Sequence, residues 1–365
     1  MKILIAPNAF KGTLSASEAG SIIEQVILKK APSAQVSLHP IADGGDGTCQ
    51  LISHYLKLER HSIWTLDVLG RPICANLGVD PKSKMAYLDV SSASGIGVLK
   101  EFEKDPWITS TFGTGLLIRK ATELGAKELV LGLGGSATID LGMGMLHALG
   151  CIFLDDKGRE LIPFTSQFGK NARFIQLIPT KPTIKFTCLC DVNNYFLGSQ
   201  GAISVFGAQK GLKPQDEEAF ERQCQSNIDL MRKKVKRNFI DQKGFGAAGG
   251  IALGLSFFFP VQIHFGSNYF FELTQLESAI QQADWIITGE GKYDAQSSGG
   301  KACFELLKMA KSHRKKIALI SSGAEALSAG FDQVIRLPEL DFSDPDVKEI
   351  AKKKLIQALE KEWRV

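Results

Sequence analysis

The feature that most constrains the fold is a unit repeated towards both ends of the chain: a short apolar segment, a polar loop and an amphipathic helical segment. Lys2–Ala6 is predicted to be a buried strand, and Ser15 with Glu18 forms a capping box before a helix with an apolar stripe. Gln35–Ile41 begins a second such unit, and the pattern returns in the last third, ending in a helix at Asp346–Trp363. Strands that alternate with helices favour a parallel sheet, so we expect an α/β domain built from both chain ends.

The middle of the chain has a different pattern. Three strand-like segments follow one another between Arg60 and Val90 with turn signals and no helices between them, which indicates antiparallel or mixed pairing. A length of 365 residues favours two domains over one. We therefore predict a discontinuous first domain, residues 1–66 and 284–365, and an inserted second α/β domain with a mixed sheet, residues 67–283.

Composition and charge argue against several classes of protein. Hydrophobic residues make up 44% of the chain and charged residues 22%, and a net charge of +4 without a basic stripe disfavours nucleic-acid binding. The seven cysteines show no zinc spacing and are typical of reduced thiols. Leu253–Pro260 is too short to span a bilayer, and Met1–Ala6 is predicted as a strand rather than a signal peptide. We expect a cytoplasmic protein, a monomer or homodimer, that acts on small molecules without a nucleic-acid or membrane partner.

The segment Leu129–Leu146, with the sequence LVLGLGGSATIDLGMGML, carries the strongest chemical signal. An apolar strand ends there in glycines, hydroxyls and a carboxylate, which are Gly132, Gly134, Gly135, Ser136, Thr138 and Asp140. Glycines let backbone N–H groups approach a ligand closely, and a helix start favours an anion. Hydroxyls add donors, and a carboxylate can hold a cation or a substrate hydroxyl. This combination suits a phosphoryl group with its metal ion.

Four other predicted strands also end in polar loops, and the carboxyl ends of strands are where open α/β sheets bind ligands. The residues are Asn8, Lys11 and Thr13 after the first strand, Asp43 and Asp46 after the second, Asp191, Asn193 and Asn194 after the Cys188 strand, and Glu290, Lys292 and Asp294 after the Trp285 strand. Carboxylates outnumber lysines, so a polyphosphate would need a hard cation such as Mg²⁺ between them. An aspartate could also accept a proton from an alcohol, which is the layout of a phosphotransferase acting on a small hydroxy compound.

Most known nucleotide-binding motifs are absent from the sequence. The chain has no P-loop, and Ser136 lacks the elbow motif of hydrolases. The segment Gly132–Ala137 matches the dinucleotide fingerprint in its Gly/Ala form, and the acidic pair Asp155 and Asp156 follows at about the expected distance. An NAD-dependent dehydrogenase therefore remains an alternative, as does a non-catalytic protein that binds small acids or nucleotides.

The same loops resemble the bacterial glycerate kinase family, the type II glycerate 2-kinases that lack a P-loop. The matching motifs run almost end to end: IAPNAFKGTLSASEA at 5–19, ADGGDGT at 42–48, TSTFGTGLLI at 109–118, GLGGSATIDLGMGML at 132–146, CDVNN at 190–194, VFGAQKG at 205–211, GFGAAGG at 244–250 and TGEGKYDAQSSGGK at 288–301. The resemblance implies a flavodoxin-like or Rossmann-like domain with an inserted second domain. It also implies that Mg-ATP phosphorylates D-glycerate, typically to 2-phosphoglycerate, and we expect the reaction to occur in a cleft between the domains.

Within this family reading, we expect each polar loop to have a role. The expected catalytic residues are Lys11, Asp43 and Asp191. The cofactor ATP would be bound by Gly134, Gly135, Ser136, Thr138 and Lys292. The substrate residues would be Asn8, Arg71 and Asn193, with Arg71 gripping the glycerate carboxylate. The magnesium ligands would come from Asp46, Glu290 and Asp294.

Several positions depart from the family pattern. Asp is common where this chain has Asn8, and Asn-Asp-Gly-Gly is usual where it has Ile139-Asp140-Leu141-Gly142. Tyr293 replaces an isoleucine, and Asn193 and Ser298-Gly299 also differ from the common residues. Leu141 brings a branched side chain to a glycine-rich loop, so we expect it to narrow the pocket or to change the choice of acceptor.

Overall fold

The structure is a computed structural model that describes residues 1–179, 182–236, 240–294, 300–323 and 325–364. Ser298 and Gly299, two of the departures from the family pattern, lie outside the described residues. The strands are β1 (Lys2–Ile5), β2 (Gln35–Leu38), β3 (Glu59–Leu66), β4 (Pro72–Asp80), β5 (Met85–Asp89), β6 (Glu128–Gly132), β7 (Cys151–Leu154), β8 (Phe174–Leu177), β9 (Lys185–Cys190), β10 (Val261–Phe265), β11 (Trp285–Lys292), β12 (Lys316–Ser322) and β13 (Gln333–Arg336).

The helices alternate with these strands most regularly near the two chain ends. They are α1 (Ala16–Lys30), α2 (Thr48–Tyr55), α3 (Ser91–Ser94), α4 (Phe112–Glu123), α5 (Met143–Ala148), α6 (Gln167–Lys170), α7 (Ala202–Phe206), α8 (Glu217–Val235), α9 (Ile251–Phe258), α10 (Gly266–Leu273), α11 (Leu276–Gln282), α12 (Ala302–Ser312) and α13 (Val347–Glu362). The chain divides into two compact units. We call Met1–Asp43 with Phe265–Val365 the terminal unit, and Gly44–His264 the middle unit.

The terminal unit contains a parallel five-stranded sheet in the order β13-β12-β11-β1-β2. Counted along this unit, the order is that of flavodoxin-like folds, with the reversal of strand order between β1 and β11. Helix α1 starts as predicted, since the Ser15 hydroxyl accepts from the Glu18 N–H and the Glu18 carboxylate accepts from the Ser15 N–H. Its apolar stripe packs into the core of this unit. The predicted parallel α/β domain formed by both chain ends is confirmed.

The middle unit contains a mixed sheet in the order β10-β9-β6-β5-β4-β3, in agreement with the predicted mixed α/β insertion. β3, β4 and β5 pair antiparallel, whereas β5, β6 and β9 run parallel, so the carboxyl ends of β6 and β9 lie at one edge. A large apolar core joins this sheet to α4, α5, α8 and α9.

The limits of the two units differ from the domain boundaries predicted at 66/67 and 283/284. β3 belongs to the middle unit, because all of its residues pair with β4. α10 and α11 belong to the terminal unit, where α11 contacts β1 and both helices contact α12. Sheet pairing and helix packing, which the hydrophobic pattern does not specify, therefore set the limits. Within the described residues, no helix is both long and apolar enough to cross a bilayer.

Candidate active site

A cavity of about 460 Å³ in the terminal unit lies where the sheet topology favours a ligand site. Asn8 follows β1 and Glu290 lies near the end of β11, so both stand at the carboxyl ends of the two strands that flank the reversal of strand order. Polar groups line this terminal-unit cavity, and these include Asn8, Lys11, Asp43, Glu290, Lys292, Asp294 and Lys301. Apolar side chains also line it, and these include Phe10, Leu14, Leu337, Phe342 and Leu355.

Glu290 is the most unusual group in the cavity. The register between β11 and β12 shifts between Gly289 and Lys292, so Glu290 lies in an irregular part of the strand pairing. Only 6% of Glu290 is exposed, and its Oε1 atom is buried without a hydrogen-bond partner in the described part of the chain. Burial raises the pKa of Glu290 to about 7, and the Asp43 carboxylate adds to this shift, whereas Lys301 and Lys11 oppose it. A buried carboxylate oxygen in this state can accept a proton or ligate a cation.

Asn8 and Asp43 form a second buried polar feature of this cavity. The Asn8 Nδ2 atom donates to Asp43 Oδ2 at 2.9 Å, and Asn8 Oδ1 accepts from the Ala9 N–H at 2.8 Å. Both residues are almost fully buried. The amide therefore fixes the Asp43 carboxylate without needing a proton or a metal ion between them, which an aspartate at position 8 would require.

The cations of this cavity differ in exposure. Lys11 and Lys292 are exposed, whereas the Lys301 side chain is 16% exposed, with Nζ 3.6 Å from Asp294 Oδ1. Lys301 was not among the residues selected from the sequence, although the motif at 288–301 contains it. Its position makes it a further candidate for binding an anionic group.

In the middle unit, the glycine-rich loop after β6 packs tightly against the loop after Asp43. The Gly134 N–H donates to the Gly44 carbonyl at 3.1 Å, and a Cβ atom on Gly134 would overlap Gly45. Gly135 has a φ of +72°, a conformation that glycine adopts without strain. Its own N–H and that of Ser136 donate to no acceptor among the described residues. We call residues 134–136 the glycine corner.

A buried lysine supports the glycine corner from within the middle unit. The Lys210 Nζ donates to Ser136 Oγ and to the Thr138 carbonyl, both at 2.9 Å, and only 6% of Lys210 is exposed. Burial lowers the pKa of Lys210 to about 7, although Asp140 counteracts the shift. No sequence pattern links Lys210 with Ser136, because the two residues lie 74 positions apart. The only signal was its presence in the motif at 205–211.

Asp140 does not extend the glycine corner as an open carboxylate. It accepts from the Thr111 N–H and hydroxyl at 2.9 and 2.8 Å, and from the N–H groups of Gly142 and Gly144. A cation or substrate hydroxyl would have to compete with these four bonds for the carboxylate. The helix start is also absent from the corner, since ten residues separate the end of β6 from the start of α5 at Met143.

Thr138 and Leu141 are buried behind the glycine corner. Thr138 is fully buried and its Oγ1 has no partner among the described residues. Leu141 is 1% exposed and belongs to the core of the middle unit, as does Ile139. The branched side chain of Leu141 therefore fills the interior beneath the loop. Tyr293 is likewise buried in the terminal unit, where its ring packs edge-on against Phe331.

Three further predicted residues lie on loops of the middle unit. Asp46 is exposed and accepts a hydrogen bond from Ser91. Its backbone adjoins Gly134 and its side chain adjoins Gly135. Asp191 follows β9. Burial raises the pKa of Cys190, and Asp191 adds to this shift; the Cys190 backbone adjoins Gly44. Asn193 is exposed on the same loop as Asp191. The loops after β6 and β9 and the segment from Gly44 thus lie side by side within this unit.

Arg71 is held by other protein groups. Its Nε donates to Asp67 at 2.6 Å, its Nη1 to Glu103 at 2.7 Å and its Nη2 to the Val98 carbonyl at 3.3 Å. These two carboxylates raise the pKa of Arg71 further, with Asp67 dominant. A glycerate carboxylate would have to displace these partners.

The predicted metal ligands do not form a cluster of protein groups. Among the described residues, no three His, Cys, Asp or Glu side chains are arranged to hold a metal ion. Asp46 belongs to the middle unit, whereas Glu290 and Asp294 belong to the terminal unit. Mg²⁺ is usually held by one or two carboxylates with substrate phosphates, and the orphaned Glu290 oxygen fits that pattern.

The dinucleotide interpretation of Gly132–Ala137 lacks its structural context. The fingerprint requires a helix that starts at the glycines and receives the pyrophosphate. Here β6 is followed by a loop that pairs Ser136 with Gly95, and α5 starts only at Met143. Asp155, one of the acidic pair, forms a turn with Arg159 through backbone and side-chain bonds.

Comparison with known proteins places this geometry in context. Residues 3–365 match the model of the glycerate kinase family. The chain is 36% identical over 315 residues to glycerate kinase of Bacillus subtilis (strain 168), covering 86% of this chain and 82% of that protein. It is 34% identical over 321 residues to glycerate 2-kinase of Escherichia coli (strain K12), covering 87% and 84%. A crystal structure from Salmonella typhimurium LT2 that carries the name glycerate kinase 2 superposes with a TM-score of 0.80 at 30% identity, covering 99% of this chain and 96% of that one.

Proposed function

This chain belongs to the glycerate kinase family, and from that premise we propose that it transfers the γ-phosphoryl group of ATP to D-glycerate, with 2-phosphoglycerate as the product. The family predicted from the sequence motifs is confirmed by the match over residues 3–365. The observation that carries the assignment of chemistry is the buried Glu290 Oε1, which has no hydrogen-bond partner among the described residues. It lines the same cavity as Asp43, at the carboxyl ends of β1 and β11.

The reaction needs a proton acceptor and a charge-neutralising environment. The glycerate hydroxyl oxygen attacks the γ-phosphorus, its proton passes to a carboxylate, and the bond from the γ-phosphorus to the bridging oxygen breaks to release ADP. Asp43 or Asp191 accepts the proton, as the sequence predicts, and the pKa of Glu290, raised to about 7, makes it a third candidate. Lys11 and Lys301 neutralise phosphate charge. Glu290 and Asp294, or Asp46, would hold Mg²⁺, which would lower the negative charge of the transferred phosphate.

The remaining predicted residues divide by what they can offer a ligand. The backbone of Gly134 and Gly135 with the Ser136 hydroxyl binds phosphate, and Lys292 adds charge to the terminal-unit cavity. Glu290 and Asp294, or Asp46, contribute oxygen ligands to Mg²⁺, and Asn8 and Asn193 contact D-glycerate. We leave Arg71 and Thr138 out, because Arg71 is paired with Asp67 and Glu103 and Thr138 is fully buried. The interdomain cleft expected from the sequence stays a prediction.

Product analysis tests this function directly. Purified protein is incubated with ATP, Mg²⁺ and D-glycerate, ADP release is followed, and the product is identified by ³¹P and ¹³C NMR. We expect turnover that requires all three, with phosphate on the carbon-2 hydroxyl. Phosphate on the carbon-3 hydroxyl would correct the regiochemistry alone. Binding of ATP and D-glycerate without turnover by folded protein would overturn the kinase assignment in favour of a non-catalytic binding protein.

A further inference from the structure

The buried Lys210 of the middle unit has hydrogen-bonding geometry that constrains its neighbour Ser136. We infer that Lys210 is a positioning residue, which fixes the Ser136 hydroxyl as a hydrogen-bond donor to a phosphate group bound at the glycine corner. This role rests on the proposed use of ATP. It adds to that function a residue that contacts no substrate itself and acts through Ser136.

The direction of each hydrogen bond follows from the chemistry of the ammonium group. The ammonium form of lysine has three donors and no acceptor, so in that form Ser136 Oγ accepts from Lys210 Nζ at 2.9 Å. The Ser136 proton is then available to another acceptor, and no described residue provides one. The second bond, from Nζ to the Thr138 carbonyl at 2.9 Å, holds the lysine in place on the backbone of the same loop.

The same loop offers two further donors. The N–H groups of Gly135 and Ser136 donate to no described acceptor, and Gly135 is exposed while Ser136 is 6% exposed. Two successive backbone N–H groups with an adjacent hydroxyl proton form a set that an anionic oxygen satisfies and that a cation cannot. Without Lys210, the Ser136 hydroxyl could act as an acceptor. By donating to Ser136 Oγ, Lys210 therefore leaves this hydroxyl to act as a donor to the ligand.

Stability alone does not account for a lysine at this position. Burying an ammonium costs free energy that two hydrogen bonds recover only in part, and an apolar side chain of similar length often serves as well. Burial accordingly lowers the pKa of Lys210 to about 7. A bound phosphate would supply the negative charge that favours the ammonium form, so the cost of burial is offset when the ligand is present.

The decisive experiment measures the coupling between Lys210 and Ser136. The variants are Lys210→Met, Ser136→Ala and the double variant, with Lys213→Met, an exposed lysine three residues later, as the matched control. Steady-state KM and kcat are measured for ATP and D-glycerate separately, with thermal unfolding of each variant. We expect both single variants to raise KM for ATP about tenfold, as for loss of one charge-assisted hydrogen bond, without a similar change in KM for D-glycerate. The double variant should have a KM for ATP no higher than that of either single variant.

Two results would overturn the inference. One is an unchanged KM for ATP in folded Lys210→Met, and the other is a double variant whose loss is the product of the two single losses. Because Ser136→Ala removes only one oxygen atom, it stays informative even where Lys210→Met unfolds. ATP affinity is also measured by calorimetry on all variants. If the unmodified protein has no turnover with D-glycerate, the proposed function fails, whereas the calorimetric cycle still decides whether Lys210 acts through Ser136.

Discussion

The terminal-unit cavity and the glycine corner of the middle unit use opposite means to prepare for a ligand. The cavity presents a buried acid, Glu290, whose Oε1 has no partner within the described residues. The glycine corner is supported by a buried basic residue, Lys210, which already has two hydrogen-bond partners. Burial moves the pKa of Glu290 up and that of Lys210 down, to about 7 in each case.

This difference predicts which kind of substitution each site tolerates. In the cavity, the groups that face a ligand are side chains, so a change of charge at constant size should do the most damage. At the corner, they are backbone N–H groups and one hydroxyl, so a change of size at constant charge should do the most damage. Substitutions that separate charge from size can therefore contradict the distinction or make it sharper.

Glu290→Gln tests the cavity with almost no change in volume. We expect kcat to fall by about 100-fold or more, because the amide can neither accept a proton nor ligate a cation as strongly. Glu339→Gln is the matched control, since Glu339 lines the same cavity but is exposed, and it should stay within about twofold. Equal activity of the two variants in a coupled ADP assay would show that the buried carboxylate has no part in the reaction.

The same variant should have the opposite effect on stability. The pKa of Glu290 rises from 4.5 to about 7 on folding, so the folded state holds this proton more tightly and loses stability as the pH increases from about 4.5 to 7. Above pH 7 the loss has an upper limit of about 3 kcal/mol. Glu290→Gln should therefore match the unmodified protein in urea unfolding at pH 4.5 and exceed it at pH 8. A constant difference across this range would rule out the raised pKa.

Leu141→Gly tests whether the apolar packing beneath the glycine corner affects stability without affecting ATP binding at the corner. Leu141 has a φ of +55°, so glycine would relieve about 1 kcal/mol of backbone strain. The loss of a fully buried leucine costs about 2 to 5 kcal/mol, which is larger. We expect a net loss of about 1 to 4 kcal/mol in unfolding free energy, with KM for ATP unchanged at a temperature where the variant is folded. A changed KM for ATP with an unchanged unfolding free energy would show that Leu141 lines the ligand pocket rather than the interior.

Gly134→Ala tests the corner with one methyl group and no charge. The added Cβ would overlap Gly45, so the loop must shift and its N–H groups must move. We expect KM for ATP to rise about tenfold, with a stability loss of about 1 to 3 kcal/mol. Gly97→Ala is the control, because a Cβ there meets no atom within 4 Å and the residue lies in the same unit. If Gly134→Ala and Gly97→Ala have the same KM for ATP, ATP binding at the glycine corner does not require the close backbone approach of Gly134.

The fold was largely accessible from the sequence because its determinants are local. The capping box at Ser15 and the apolar periodicity of α1 follow from residues at most four apart, and repeated strand–helix units then favour a parallel sheet. The limits of the units were less accessible, because the placement of β3, α10 and α11 depends on partners distant in sequence.

Residue types suggested candidate site residues, but the sequence did not reveal their environments. The motif spacing gave no sign that Arg71 is held by Asp67 and Glu103, or that four donors surround Asp140. Lys210 and Lys301 were missed because a lone lysine in a motif has no spacing that distinguishes a buried cation from an exposed one. Burial and partner identity are tertiary properties, and they decide which polar residues are available to a ligand.

Asn8→Asp should have the smallest effect, and it tests whether the charge of the cavity sets its need for a metal ion. The substitution places a second carboxylate 2.9 Å from Asp43 Oδ2, where the amide now donates. Two carboxylates this close raise the pKa of the pair, so stability should fall as the pH rises through that range, by on the order of 1 kcal/mol at pH 8 in EDTA. Mg²⁺ should restore most of this loss, because a cation replaces the missing proton, whereas the unmodified protein should respond less. Thermal unfolding of both proteins at pH 5 and pH 8, with Mg²⁺ and with EDTA, measures the difference. A variant that is equally stable in all four conditions would mean that Asp43 does not depend on the Asn8 amide, and that the charge of this cavity is set by Glu290 and the lysines.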